Sequence, residues 1–346
     1  MNPLAPLLAP FLLSTLCCQS PTPAPAAPPA EQAAASNTRP VTHRVLLQGE
    51  GKLAILDVHG DIEWQMPWGS IHDLHRLPNA HILVQEGAAR LAEIDPTTKS
   101  VVWRYDASTQ NGNAGKPVEV HSFVPLADAH LLVAESGPSR LLEIDRAGTL
   151  IRQTPLVVTH PHVHRDTRLV RRLPNGNVLV CHEGDGCVRE YDMATGKVVW
   201  QFEVPLFGKE RKDGHGPESF GNAVFAALRL PSGNTLVATG NGHSVLEVDP
   251  KGGVVWSLQQ RDLPGIVLAW VTTLEVLDNG HIVLGNCHAG KGQPVLIEIE
   301  PKTKQVLWTL DAFDRFGNSV SNTLLLDVAN TADRSRQRHR VGCRAP

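Results

Sequence analysis

The stretch "HDLHRLPNAHILV" occupies residues 72–84, and versions of it recur along the chain. The related stretches are "HSFVPLADAHLLV" (121–133), "RLVRRLPNGNVLV" (168–180), "FAALRLPSGNTLV" (225–237) and "TTLEVLDNGHIVL" (272–284). Successive copies begin 47 to 57 residues apart, which is the period of β-propeller blades and not of helical solenoids. Each copy indicates two short strands rich in Val, Leu and Ile around a turn that contains Pro, Asn or Gly.

A second phrase completes each unit with two further strands. It contains an acidic residue, a polar turn and a strand that usually ends in Trp, as in "DPTTKSVVW" (95–103) and "DMATGKVVW" (192–200). The third copy departs, because Arg152 stands where the others have Trp. We interpret the Trp side chains as wedges between adjacent blades, each with one N–H to satisfy.

The repeat count predicts how the ring closes. Five complete units lie between about residues 70 and 312, and residues 43–67 supply only three strands of a further unit. One more strand, "SNTLLLDV", follows at 321–328. Pairing it with the first three strands leaves no open sheet edge. The sequence therefore predicts an all-β, six-bladed β-propeller at 43–328, with four-stranded antiparallel blades and a ring closed by the C-terminal strand.

The two ends of the chain differ from the repeats in composition. Residues 1–20 resemble a secretory leader, and residues 21–40 are a Pro/Ala-rich linker. Either Cys17 or Cys18 is a candidate lipidation site, so we expect an extracytoplasmic protein, periplasmic or secreted, with a membrane tether as one option. A disordered leader is the alternative. The basic segment 329–346 is expected to be a disordered tail.

Charge narrows the classes of partner. The chain of 346 residues has a formal net charge of −3, so composition gives no case for binding nucleic acid or an anionic membrane surface. We expect a monomer that binds a small molecule or a protein.

Candidate functional residues stand out because one repeat position varies. His72 and His121 occupy it in two copies, and Arg168, Phe225 and Thr272 occupy it in the others. The position lies at the start of the innermost strand, on the face that carries the interblade loops. Variation at equivalent sites is typical of function built onto a repeat scaffold.

Further histidines lie in "THPHVHRD", residues 159–166. If this segment were extended, His160, His162 and His164 would face one side and could bind a transition metal. The alternative is that all three are solvated loop residues, and we predict no metal there. Cys181 and Cys187 flank a predicted hairpin turn, where a disulfide and two buried free thiols both remain open.

The phrase from Asp192 through Thr195-Gly196-Lys197 to Trp200 resembles the PQQ-like, quinoprotein-type propeller repeat, and the likeness covers 43–328. Quinone-dependent members of that group have eight blades and a vicinal cysteine pair in the propeller. Here six blades are expected, and the only adjacent cysteines lie in the leader. We therefore expect no cofactor and regard PQQ as improbable.

His72-Asp73 followed by Leu77-Pro78-Asn79 is similar to a phrase of bacterial arylsulfate sulfotransferases, which are exported six-bladed propellers with a channel histidine. Two functional hypotheses follow. The first is an exported binding module, with ligand contacts from His164, Asp166, Asn222 and Trp270. The second is an arylsulfotransferase-like enzyme, in which His72 or His121 attacks the sulfur, Arg168 balances the sulfate charge and Asp73 orients an imidazole.

Overall fold

The computed structural model describes residues 42–328, and within them the four-stranded repeat is present six times. Every sheet is antiparallel, and the one α-helix of the described residues is the single turn α1 (Phe313–Phe316). The predicted all-β, six-bladed β-propeller is therefore confirmed. The predictions for the leader, for Cys17 and Cys18, for the linker and for the tail lie outside the described residues. No helix within 42–328 has the length and apolar character needed to cross a bilayer.

Within each blade, the strands run from the innermost to the outermost. Blade 1 has β1 (Val45–Gly49), β2 (Lys52–Leu56) and β3 (Ile62–Pro67). Blade 2 has β4 (Leu74–Arg76), β5 (Ile82–Glu86), β6 (Arg90–Asp95) and β7 (Ser100–Asp106). Blade 3 has β8 (Glu119–Pro125), β9 (Leu131–Ser136), β10 (Arg140–Ile144) and β11 (Leu150–Pro155).

The second half of the ring repeats this arrangement. Blade 4 has β12 (Val170–Arg172), β13 (Val178–His182), β14 (Cys187–Tyr191) and β15 (Val198–Glu203). Blade 5 has β16 (Ala226–Arg229), β17 (Thr235–Ala238), β18 (Ser244–Val248) and β19 (Val254–Gln259). Blade 6 has β20 (Trp270–Val276), β21 (Ile282–Cys287), β22 (Leu296–Ile299) and β23 (Val306–Leu310).

Ring closure uses a strand from the far end of the described chain. The strand β24 (Thr323–Leu325) pairs antiparallel with β1, with Val45 opposite Leu325 and Leu47 opposite Thr323. It supplies the missing innermost strand of blade 1, as the sequence predicts. Pairing removes the free edge that β1 would otherwise expose.

Six buried apolar clusters, one in each seam between adjacent blades, form the core. In the seam between blades 2 and 3, for example, Leu83 and Leu91 pack with Phe123 and Leu131. The seam between blades 6 and 1 contains Leu325 of β24. Every blade contributes side chains to two seams. The removal of one strand therefore weakens the packing of its blade against both adjacent blades.

Tryptophan side chains pack between adjacent blades, and their indole N–H groups donate hydrogen bonds to the backbone of the next blade. Trp64 donates to the carbonyl oxygen of Pro96 at 2.7 Å, and Trp103 donates to that of Arg146 at 2.7 Å. Trp200 and Trp256 make the same contact with the next blade. Each acceptor lies in the turn between the third and fourth strands of the following blade, so these bonds fix the angle between blades.

The third histidine of the opening phrase is a structural residue. His81 Nδ1 lies 2.7 Å from an oxygen of Glu93 in the third strand of its own blade. His281 makes the same contact with Glu298 at 2.7 Å, and Asn177 donates to Glu190 at 2.7 Å. Histidine and asparagine alternate at this position because either supplies an N–H to the glutamate.

A chain shortened by residues 320–346 is expected to lose its cooperative unfolding transition. The truncation removes β24, exposes the edge of β1 and removes side chains from the two seams on either side of blade 1. A chain lacking only 330–346 keeps β24 and is expected to melt like the full chain. Circular dichroism melts of the two truncations decide the point, and equal melting temperatures for both would contradict the closure.

Candidate functional site

The variable repeat position brings three blades together at one end of the ring, which we call the interblade-loop end. His72 lies two residues before β4, His121 lies in β8, and Arg168 lies two residues before β12. His121 occupies a β-bulge, because the pairing of β8 with β9 shifts between Val120 and Ser122. A bulge redirects a side chain that strict alternation would place elsewhere. The same end carries the loop that contains His164.

Three imidazole rings meet there. The ring centroids of His72 and His121 are 4.6 Å apart, and those of His121 and His164 are 4.9 Å apart. The distance between the His72 and His164 centroids is 5.8 Å. His72 and His121 are therefore side by side on consecutive blades. The Nδ1 atom of His72 is buried without a hydrogen-bond partner among the described residues.

A carboxylate that the sequence analysis did not select completes the group. Glu119 Oε2 lies 2.7 Å from His121 Nε2 and 2.7 Å from His164 Nδ1. We call Glu119, His121, His164 and His72 the histidine centre. Glu119 and His121 are two residues apart on β8, but the bulge at His121 interrupts the alternation of the strand, so the spacing alone did not predict their contact.

The guanidinium of Arg168 already contacts other residues of the protein. It forms an ion pair with Glu183, and both side chains are buried. Its Nη1 also donates to His121 Nδ1 at 2.8 Å and to the carbonyl oxygen of His164 at 2.6 Å. Arg168 thus holds the histidine centre in place, and Glu183 neutralises its charge.

Burial and neighbouring charges lower the pKa values of two imidazoles of this centre, those of His72 and His121. Burial, with the positive charge of Arg168, lowers the pKa of His121 to about 4 despite the favourable contact with Glu119. Burial and the nearby His121 and Arg168 lower the pKa of His72 well below its ordinary value. Hydrogen bonds from His121 and His164 lower the pKa of Glu119 to about 2. At neutral pH the ionised carboxylate of Glu119 therefore lies beside the neutral rings of His72 and His121.

Asp73 joins blades and does not contact the histidine centre through its described bonds. Its carboxylate accepts a hydrogen bond from Ser122 Oγ at 2.5 Å, from Arg171 Nη1 at 3.2 Å and from Asn322 Nδ2 at 3.2 Å. The imidazole in its reach is His75, at 3.6 Å. Burial alone would raise the pKa of the Asp73 carboxyl, but Arg171, His75 and Ser122 hold it well below its usual range.

The loop 159–166 is folded as a turn, not extended, so its three histidines do not converge. The carboxylate of Asp166 accepts bonds from the backbone N–H of His162 at 2.6 Å and of Gly137 at 2.9 Å. This contact closes the turn and gives Asp166 a structural role. His160 pairs with Asp185 at 3.2 Å at the surface, while His164 alone reaches Glu119.

Asn222 and Trp270 lie elsewhere on the ring. Asn222 accepts a hydrogen bond from Arg211 Nη2 at 3.0 Å. The ring of Trp270 contacts His215 with centroids 4.9 Å apart, and His215 lies 5.1 Å from His288. The sequence analysis did not select His215 or His288, because nothing in their local sequence places them near Trp270.

Cys181 and Cys187 are buried free thiols. They are not opposite each other in the hairpin, because Cys181 pairs with Val188 and Cys187 pairs with His182. Burial raises the pKa of the Cys187 thiol to about 12. Of the two alternatives that the sequence left open, the structure has the free thiols.

The axis of the ring leaves little room for a ligand. A cavity of about 40 Å³ lies among the innermost strands, with Leu74, Arg171, Leu228 and Asn322 in its wall. That volume holds a few water molecules, whereas sites for drug-sized ligands measure roughly 300–1,000 Å³. A larger cavity, of about 300 Å³, lies between blades 1 and 2, with Arg44, Glu63, Trp64 and Arg76 in its wall. The histidine centre is separate from both cavities and lies at the mouth of the ring.

Comparison with known proteins supports the repeat assignment. The model of a PQQ-type repeat family, described as "Outer membrane protein assembly factor BamB", matches residues 49–310. No curated protein matches the chain in sequence.

Solved structures share the fold at low sequence identity. A protein of unknown function from Bacteroides caccae has a TM-score of 0.67 and 22% identity, covering 83% of this chain and 100% of its own. A streptogramin B lyase has a TM-score of 0.52 and 11% identity, covering 80% and 85%. A catalytically inactive virginiamycin B lyase from Staphylococcus aureus, solved with quinupristin, has a TM-score of 0.52 and 9% identity, covering 86% and 94%. These likenesses show a shared propeller fold.

Asp73→Ala is expected to lower the free energy of unfolding by about 3 kcal/mol, because it leaves Arg171 without its buried partner. The stabilisation from this carboxylate is present above the ordinary Asp pKa of about 3.9 and is lost as pH falls below it. Urea unfolding at neutral pH measures the change, with exposed Asp213→Ala as the matched control. Equal unfolding midpoints for the two variants would show that the contacts of Asp73 between blades do not stabilise the ring.

Proposed function

The chain belongs to the PQQ-type propeller family described as outer membrane protein assembly factor BamB, and on that premise we propose that it is an exported ligand-binding module. The observation that carries the proposal is the histidine centre, where imidazoles from two blades and one interblade loop meet beside Glu119. The ligand is a small molecule or a protein group that enters the mouth of the ring. The chain acts as a monomer and binds no nucleic acid.

Energetics support this assignment. An unpartnered buried polar atom such as His72 Nδ1 costs roughly 1–3 kcal/mol. The equivalent positions of other blades carry Phe225 and Thr272, so the fold itself does not require histidine there. Residues that reduce stability without serving the scaffold are typical of binding sites.

We further propose that no quinone is bound, a proposal that the small axial cavity supports. The description of the family supports an extracytoplasmic location, with Cys17 or Cys18 as the lipid attachment site. Metabolic labelling with a radioactive fatty acid tests the anchor. Label should enter the full-length chain and be absent from a variant with both cysteines changed to serine, and label in both chains would reject the site.

Ligand-observed NMR with a fragment library tests the binding module. Fragments that bind the wild-type chain are expected to bind His72→Ala at least about tenfold more weakly, which corresponds to 1.4 kcal/mol. The melting temperature of this variant should change by less than about 2 °C, because removal of the ring also removes the buried, unpartnered Nδ1 atom, which offsets the lost packing.

The matched control is His59→Ala, which removes an exposed histidine from a turn at the opposite end of the ring. It should leave fragment binding unchanged. Fragments that bind His72→Ala as tightly as the wild type would place the ligand elsewhere. A large fall in melting temperature with binding intact would make His72 a core residue.

Sulfuryl transfer is a second candidate, favoured by the contact between the neutral His72 and His121 rings. A ring nitrogen would bond to the sulfur of an aryl sulfate while the S–O bond to the phenol breaks. The phenolate would leave with the bonding pair, and the sulfuryl group would pass from nitrogen to an acceptor hydroxyl. The pairing of Arg168 with Glu183 weighs against it, because that cation is already neutralised.

Release of 4-nitrophenolate from 4-nitrophenyl sulfate, with phenol as acceptor, tests the enzyme. The binding module predicts no release above that of the buffer. Turnover that disappears in both His72→Ala and His121→Ala would establish the transferase instead.

A further inference from the structure

Glu119, His121 and His164 present their ligand atoms to a common point. One carboxylate oxygen and two imidazole nitrogens lie within 4.8 Å of one another. Glu119 and His121 come from β8, and His164 comes from the loop before β12. An ion placed among the three atoms would be bound by groups from consecutive blades.

The chemistry of the three donors selects a class of ion. Imidazole nitrogen with one carboxylate oxygen suits zinc and its neighbours among the divalent transition metals, whereas calcium and magnesium prefer oxygen alone. Such ions bind the neutral form of histidine.

The surroundings of His121 allow the tautomer that a metal requires. Its Nδ1 lies 2.8 Å from the Arg168 donor and 3.1 Å from the carbonyl oxygen of Thr167. With Nε2–H donating to Glu119, Nδ1 accepts from Arg168. With Nε2 bound to an ion, Nδ1–H donates to Thr167. Metal-bound histidines usually donate their second N–H to a carbonyl or carboxylate in this way.

Arg168 does not depend on that one contact. When His121 changes tautomer, the guanidinium keeps the carbonyl oxygen of His164 and the ion pair with Glu183. The exchange therefore costs a single hydrogen bond. His72 lies against the rings of His121 and His164, and its Nδ1 atom is buried without a partner among the described residues.

We propose that Glu119, His121 and His164 bind one divalent transition-metal ion of the zinc class, with His72 against the rings of both histidine ligands. The inference rests on the proposed function, because it names the first occupant of the same ligand-binding centre. The bound ion would then coordinate an oxygen or nitrogen atom of the ligand directly. The site differs from the set His160, His162 and His164, which the turn at 159–166 keeps apart.

Zinc chloride is titrated by calorimetry into the full chain after its metals have been removed with a chelator. Wild type is expected to bind one equivalent with a Kd below about 1 µM. Glu119→Gln and His164→Ala should weaken binding by at least about 100-fold, since losing even an outer partner of a metal ligand costs roughly 10–100-fold. The control is His160→Ala, in which a neighbouring exposed histidine is removed and zinc binding should stay unchanged.

Two measurements keep the result interpretable. His164 is half-exposed, so His164→Ala is expected to retain the wild-type melting curve, which shows that a loss of binding is not unfolding. Cobalt(II) added to the wild type should give the visible absorption band of a bound low-coordinate ion, and the band should be absent in His164→Ala.

Zinc affinity that is unchanged in His164→Ala, or weaker than about 100 µM in the wild type, would overturn the inference. Fragment binding separates this failure from failure of the binding module. Fragments that bind metal-free wild type but not His72→Ala, without any zinc site, would reject the metal and keep the module. Stoichiometric zinc at the three residues, with no fragment bound with or without it, would keep the metal and reject the organic ligand.

Discussion

Closure of the ring by β24 against β1 is the constraint on which the rest of the structure depends. The core is divided among six seams, so no blade is stable through its own contacts alone. Tryptophan N–H bonds and the Asp73 network then set the angle and spacing of neighbouring blades. Only a closed ring holds His72, His121 and His164 at distances where their rings touch.

The fold could be predicted because short sequence patterns define each repeat. Turn residues, apolar strands and the Trp position recur with a period that admits one architecture, and the orphan strand at 321–328 had one open partner. Repeat register also placed His72 beside His121. These inferences needed only the equivalence of positions between copies.

The remainder of the site depends on contacts that break the repeat. The bulge at His121 and the turn that Asp166 closes at 159–166 bring Glu119 and His164 together, and no periodic pattern encodes either. Asp73 was assigned to the chemistry from its place beside His72, but its carboxylate turns towards Ser122, Arg171 and Asn322. His72 and Asp73 both precede β4, but their side chains make different contacts, which separates the two roles.

The central claim is that the histidine centre is a ligand-binding site in which Glu119, His121 and His164 bind a metal ion. Anomalous diffraction at the zinc edge, from crystals of the chain grown with zinc, tests it most directly. The account predicts one dominant peak within about 2.0–2.2 Å of Glu119, His121 and His164. Peaks confined to surface histidines such as His160, with none at these three residues, would contradict it.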